Sequence, residues 1–190
     1  MANAPARRPL SLRLRSHDYS APGAYFVTVC VNDRLCLFGE VADGAVRLDA
    51  FGAIAHDEWF NTAIIRPYVR LNADEFLVMP DHIHGIIHIE PDVGAQRRCA
   101  PTTAPPSVRD VTPCSLGAIV RAFKSITTRR IKALRRTPGD AVWQRNYHDR
   151  VVRDEDELNR ILLYISGNPA RWAAGSRRSS QLTDRRGLAS

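Results

Sequence analysis

The chain has 190 residues, with 27 Lys and Arg against 20 Asp and Glu, a formal net charge of +7 and an isoelectric point near 9.7. That length holds one well-buried core rather than two full domains, and the charge favours an anionic partner, nucleic acid first. No apolar run has the length of a membrane span and no secretory apolar core follows the first residues, so a soluble, cytoplasmic protein with no membrane partner is expected.

Residues 1–16 carry Arg7, Arg8, Arg13 and Arg15, with Leu10, Leu12 and Leu14 in alternation. They read either as a basic arm that extends along a partner or as a disordered tail. A domain over 17–174 follows. After Ala21-Pro22-Gly23, the run Ala24–Val31 is β-branched and aromatic, which predicts a central strand. Cys36–Val41 and Ala45–Leu48, around Asp43-Gly44, predict a hairpin. Asp49 is placed to cap a helix over Ala50–Ile64 that offers Ile54, Trp59 and Phe60 to a core. Val69–Met79 reads as a second strand and Ile83–Ile89 as a third, with Pro80-Asp81 turning between them.

Residues 91–113, rich in Pro, Thr and Ala, read as a loop or mobile insert. From Ser115, Leu116, Ile119, Val120, Phe123, Ile126, Ile131 and Leu134 recur at helical spacing, while Arg121, Lys124, Arg129, Lys132, Arg135 and Arg136 fall mostly opposite. This basic face is either simply solvated or a phosphate-contact surface. Thr137-Pro138-Gly139-Asp140 ends the helix, an extended stretch runs through Val151-Val152, and Asp154 can cap a last helix from Glu155. The segment 175–190, with Arg177, Arg178, Arg185 and Arg186 among Ser, Gln and Gly, reads as disordered. Cys30, Cys36, Cys99 and Cys114 show no CxxC spacing and read as reduced, structural thiols.

Two positions carry chemistry. Met79-Pro80-Asp81-His82-Ile83-His84-Gly85-Ile86-Ile87 places two imidazoles at i and i+2, and a strand aims such a pair at one face. Neutral imidazoles fixed on a strand make half a transition-metal site; the plainer reading is a pair of surface or core histidines. His88 shares that face but lies about 13 Å beyond His84, outside a common metal shell. Asp81 is placed to orient an imidazole, or is simply a turn residue. On the last helix, Leu158, Ile161, Leu162 and Ile165 set the core stripe and leave Tyr164 about 110° from its centre. Asn168, four residues on, and Glu157, seven before, share its side if the helix continues through Gly167 and Pro169.

Four blocks occur in order: Pro22-Gly23-Ala24-Tyr25-Phe26-Val27-Thr28, the histidine block, Trp143-Gln144-Arg145-Asn146-Tyr147-His148-Asp149, and Tyr164-Ile165-Ser166-Gly167-Asn168-Pro169. Together they resemble the REP-associated tyrosine transposases, relatives of the IS200-like single-tyrosine transposases in the HUH endonuclease superfamily. The resemblance implies an α+β fold of the HUH, ferredoxin-like arrangement, with an antiparallel sheet of four to five strands and helices packed on it. It implies a divalent metal, Mg²⁺ or Mn²⁺, held by His82 and His84 with Asn168 as third ligand, and Tyr164 as the nucleophile that cleaves and rejoins hairpin-bearing single-stranded DNA through a 5′-phosphotyrosine. Tyr147 is the rival nucleophile. The DNA-contact set is Arg7, Arg8, Arg13, Arg15, Arg121, Lys124, Arg129 and Lys132, salt-sensitive in its affinity. A homodimer and association with the bacterial nucleoid are further expectations. The competing readings are a domesticated module that binds hairpin DNA or RNA without cutting, and a metal-dependent phosphodiesterase that uses water.

Overall fold

Strand β1, Gly23–Cys30, lies antiparallel between β6, His82–Ile89, and β7, His148–Val152, in a computed structural model that describes residues 17–91, 114–136 and 141–175. Arg7, Arg8, Arg13 and Arg15, the 137–140 turn, and all but the first residue of the segments 91–113 and 175–190 lie outside the described residues. The other edge of β6 takes β4, Val69–Arg70, and β5, Phe76–Met79, completing an antiparallel sheet of five strands. The expected α+β class with its antiparallel sheet is therefore observed.

The single strand expected over Val69–Met79 is not. A 3-10 turn at Ala73–Glu75 divides it, because Asn72 and Asp74 are poor strand residues that favour turns. The hairpin of β2, Gly39–Ala42, and β3, Ala45–Leu48, closes through left-handed Asp43 and Gly44. It starts later than predicted because the amides of Leu37 and Phe38 bond to the Pro80 carbonyl instead.

Helix α1, Ala50–Ile65, is capped by Asp49, whose Oδ1 accepts the amides of Phe51 and Gly52 at 2.8 Å. Helix α2, Leu116–Arg135, starts at Ser115, whose hydroxyl accepts the Ala118 amide. Both pack on the sheet face of Tyr25, Val27, Val29, Ile83 and Ile87, joining Trp59 and Phe123 to the main core. Gly85 matters here, since a Cβ at that position would lie 2.3 Å from Trp59 Cζ2. The indole therefore rests on bare β6 backbone. Leu134, predicted as core, is exposed in the last turn of α2, whereas Thr127 is buried, bonded to the Phe123 carbonyl and accepting Trp143 Nε1–H at 2.8 Å.

Helix α3, Glu155–Ser166, covers the opposite face. Asp154 accepts the Glu157 amide, and Glu157 accepts the Arg153 amide in return, a reciprocal cap. Its buried Ile161 and Ile165 meet Ile86, with Phe26, Leu77, Leu158 and Leu162 around them.

Candidate active site

Alternation along β6 turns His82, His84 and Ile86 toward α3. His82 lies opposite Cys30 on one side and Met79 on the other, and His84 opposite Thr28 and Leu77, so both imidazoles hang from the middle of the sheet. They are 7% and 2% exposed, and their Nε2 atoms face each other at 2.9 Å.

The far nitrogens are also held. His82 Nδ1–H donates to the Asp81 carboxylate, and His84 Nδ1 lies 2.9 Å from the Thr28 hydroxyl. Burial opposes the Asp81 charge, but the hydrogen bond and charge of His82, together with Arg34, keep its carboxyl below the usual range. Burial, reinforced by His82, Arg171 and Arg34, pulls His84 down to about 3, so this ring is neutral at ordinary pH. The Thr28 hydroxyl can donate to His84 Nδ1 while His84 Nε2–H donates to His82, or accept from Nδ1–H and free Nε2 as a ligand. The second arrangement aims two lone pairs at one point, a repulsion that a cation between them removes.

Tyr164 projects from α3 beside this pair. Its ring meets the His84 ring edge-on with centroids 5.1 Å apart and touches Phe26 at 6.1 Å, and the residue is 44% exposed. The backbone stays nearly helical past it: the Gly167 amide bonds to the Leu163 carbonyl, and the Arg171 amide to Gly167, across a single turn residue at Gly167, with Pro169 accommodated in the first turn of the next helix. A short helix α4 occupies 168–175. Asn168 thus falls one turn after Tyr164 and is buried.

Besides Thr28, three site residues escaped sequence reasoning. The Arg171 guanidinium lies 4.6 Å over the Tyr164 ring and donates to the Tyr164 carbonyl. Its spacing of seven is two helical turns, a signal visible only once the helix is carried through Pro169. Trp172 lies 6.1 Å from His82, ring to ring. Arg34 reaches Asp81 at 3.3 Å from a turn in which Asp33 and Arg34 are both left-handed, which nothing in the local sequence announces.

Other candidates lie elsewhere. His88 pairs with the buried Glu75 at 2.7 Å. Tyr147 packs against the main core, the face away from the histidines. Glu157 is buried and paired with Arg150. Among the α2 cations, Arg121 and Arg129 are exposed and Lys132 is half-buried. The Lys124 ammonium instead donates to the carbonyls of Gln144 and Arg145, and burial lowers its pKa. Cys30 and Cys36 are free thiols, but Cys114 is disulfide-bonded, which corrects the reading of all four as reduced. No helix among the described residues is long and apolar enough to cross a membrane.

No family model matches the chain. An uncharacterized protein of Haemophilus influenzae is 35% identical over 171 residues, which span 90% of this chain and 93% of the relative. The chain belongs to that protein's family. Among solved structures, a REP-associated tyrosine transposase bound to a REP hairpin aligns with a TM-score of 0.55 and 16% identity, covering 84% of this chain and 74% of that one. This member of the Haemophilus protein's family therefore has a transposase-like fold.

Proposed function

We propose that this chain cuts and rejoins hairpin-bearing single-stranded DNA, with Tyr164 as nucleophile and a divalent ion held by His82 and His84. The observation that carries the reading is the convergence of two buried imidazole nitrogens at 2.9 Å beneath a half-exposed tyrosine ring. The shared fold with a transposase and the charge of +7 agree with it.

The donor set fits a metal. Two metal–nitrogen bonds of about 2.1 Å meeting near a right angle span about the observed separation. Among the described residues no group of three His, Cys, Asp or Glu forms a metal cluster, so further positions fall to the Asn168 amide, water or substrate oxygen. Mixed nitrogen and oxygen ligation suits Mn²⁺, and Mg²⁺ by availability. Such an ion, when bound, polarises a non-bridging phosphate oxygen.

The chain's own groups do the rest. Tyr164 Oη gives up its proton and forms a bond to phosphorus; the bond from phosphorus to the 3′ oxygen breaks, and that oxygen leaves as a 3′-hydroxyl after taking a proton. The product is a 5′-phosphotyrosine, one phosphate ester in place of another, so a later 3′-hydroxyl can reverse the step without ATP. One nucleophilic tyrosine per chain favours a pair of chains for two-ended exchange. A second reading, a binding module without cleavage, draws on the lack of a third His, Cys, Asp or Glu ligand among the described residues.

The test is a labelled hairpin-bearing strand incubated with Mn²⁺ or Mg²⁺ and run on a denaturing gel. A metal-dependent covalent adduct is expected, lost in Tyr164→Phe and His82→Ala and kept in Tyr147→Phe. Loss in Tyr147→Phe alone would move the nucleophile. Cleavage without any adduct would mean water is the nucleophile, and tight binding without cleavage would leave the binding module.

A further inference from the structure

The Tyr164 ring is touched from three sides. His84 and Phe26 meet it edge-on from the sheet, and the Arg171 guanidinium lies 4.6 Å over its face. We propose that Arg171 is a positioning residue: seated against the bare Cα of Gly167, it keeps the Tyr164 phenol docked on the imidazole pair. The inference rests on the nucleophile assigned to Tyr164 above and adds the group that holds it in line.

The phenol needs such a partner. A helix leaves a long side chain two common χ1 rotamers, and a half-exposed ring with only edge contacts to the sheet is free to leave for the other. A guanidinium over the ring is attracted by the negative π face, and its planar group stacks there as an ammonium does not. The contact therefore favours the rotamer that faces His84 over one that turns away from the cation.

Two independent features bring Arg171 to that place. Helix α3 ends at Ser166, so the Tyr164 carbonyl is among the last four that a helix leaves short of its own amides, and Arg171 Nη2–H donates to it. The guanidinium is thereby tied to the backbone of the residue whose ring it covers. Gly167 supplies the space, since a Cβ there would lie 3.1 Å from Arg171 Nη1 and 3.6 Å from Cζ. Its φ of −79° and ψ of −3° are open to any residue, so the backbone itself does not call for glycine. What the missing side chain leaves is room for the guanidinium.

The test is nuclear magnetic resonance on the full chain without Mn²⁺, reading proton cross-relaxation between the Tyr164 and His84 rings. The signal is expected to fall at least about twofold in Arg171→Gln, which removes the cation, and in Gly167→Leu, which fills its seat, and to recover in part in Arg171→Lys. An undiminished signal in both Arg171→Gln and Gly167→Leu overturns the proposal. Adduct formation is then followed with Mn²⁺ and a saturating hairpin-bearing strand. Arg171→Gln should slow it about 3- to 30-fold while strand affinity stays within about twofold, and Arg171→Lys should regain part of the rate. A defect that saturating strand erases would make Arg171 a DNA contact and overturn the positioning role. A weakened ring contact with no adduct in any protein, wild type included, keeps Arg171 as the group that positions the ring and removes the cleavage reading.

Discussion

Thr28 shows how much of this site depends on side chains with no catalytic group of their own. Its hydroxyl is the partner of His84 Nδ1, and as a rotor it serves either ring tautomer. Removing it in Thr28→Val keeps the shape and leaves His84 free to adopt the tautomer that points a proton at His82. Divalent metal affinity is expected to drop about 10- to 100-fold, read by Mn²⁺ titration with magnetic resonance detection. Tyr164 emerged only from the four-block resemblance, while the shared face of the two histidines, set by the period of two along a strand, was legible in the sequence itself. Thr28, Arg34 and Arg171 were not. Thr28 needs the β1 to β6 register, Arg34 needs a left-handed turn, and Arg171 needs a helix that survives Pro169.

Among the elements, β6 carries the histidines on one face and presses its bare backbone onto Trp59 with the other. Gly85→Ala puts a methyl group where the indole lies, and neither the strand nor a ring stacked 4.6 Å from Phe76 has room to yield. The expected loss is about 2–3 kcal/mol of unfolding free energy, read as a lower urea midpoint with an unchanged slope. Sequence patterning anticipated α1, α2 and α3 and the caps Asp49 and Asp154, because a capping side chain acts within its own first turn. It failed at Val69–Met79, where the turn-favouring Asn72 and Asp74 interrupt the run and leave two short strands side by side on one edge of β6.

At the scale of the molecule, the positive charge of the described residues sorts into cations that face solvent and cations that hold the chain together. Arg121 and Arg129 are exposed on α2, whereas Lys124 ties α2 to the 144–145 carbonyls and Arg130 ties it to Glu58 of α1. Affinity for single-stranded DNA should fall with salt, and Arg121→Ala and Arg129→Ala should each make that dependence shallower by about 0.7 in the log–log slope. Lys124→Met should leave the slope unchanged and lower the melting temperature instead. A shallower slope in Lys124→Met would return that residue to the DNA-contact surface.

The two halves of the site have unequal tenure. The imidazoles belong to the central strand and share its fate, leaving only when the whole sheet does. The phenol stands on a helix whose buried contacts are Ile161 and Ile165 against Ile86, a small apolar footing beside the main core. A region with few buried contacts detaches at lower free energy than the molecule unfolds. Since Asn168 and Arg171 follow that helix across the turn at Gly167, its departure would part phenol from imidazoles in a single step and, on the proposed reading, leave an intact sheet that carries its histidines without a nucleophile.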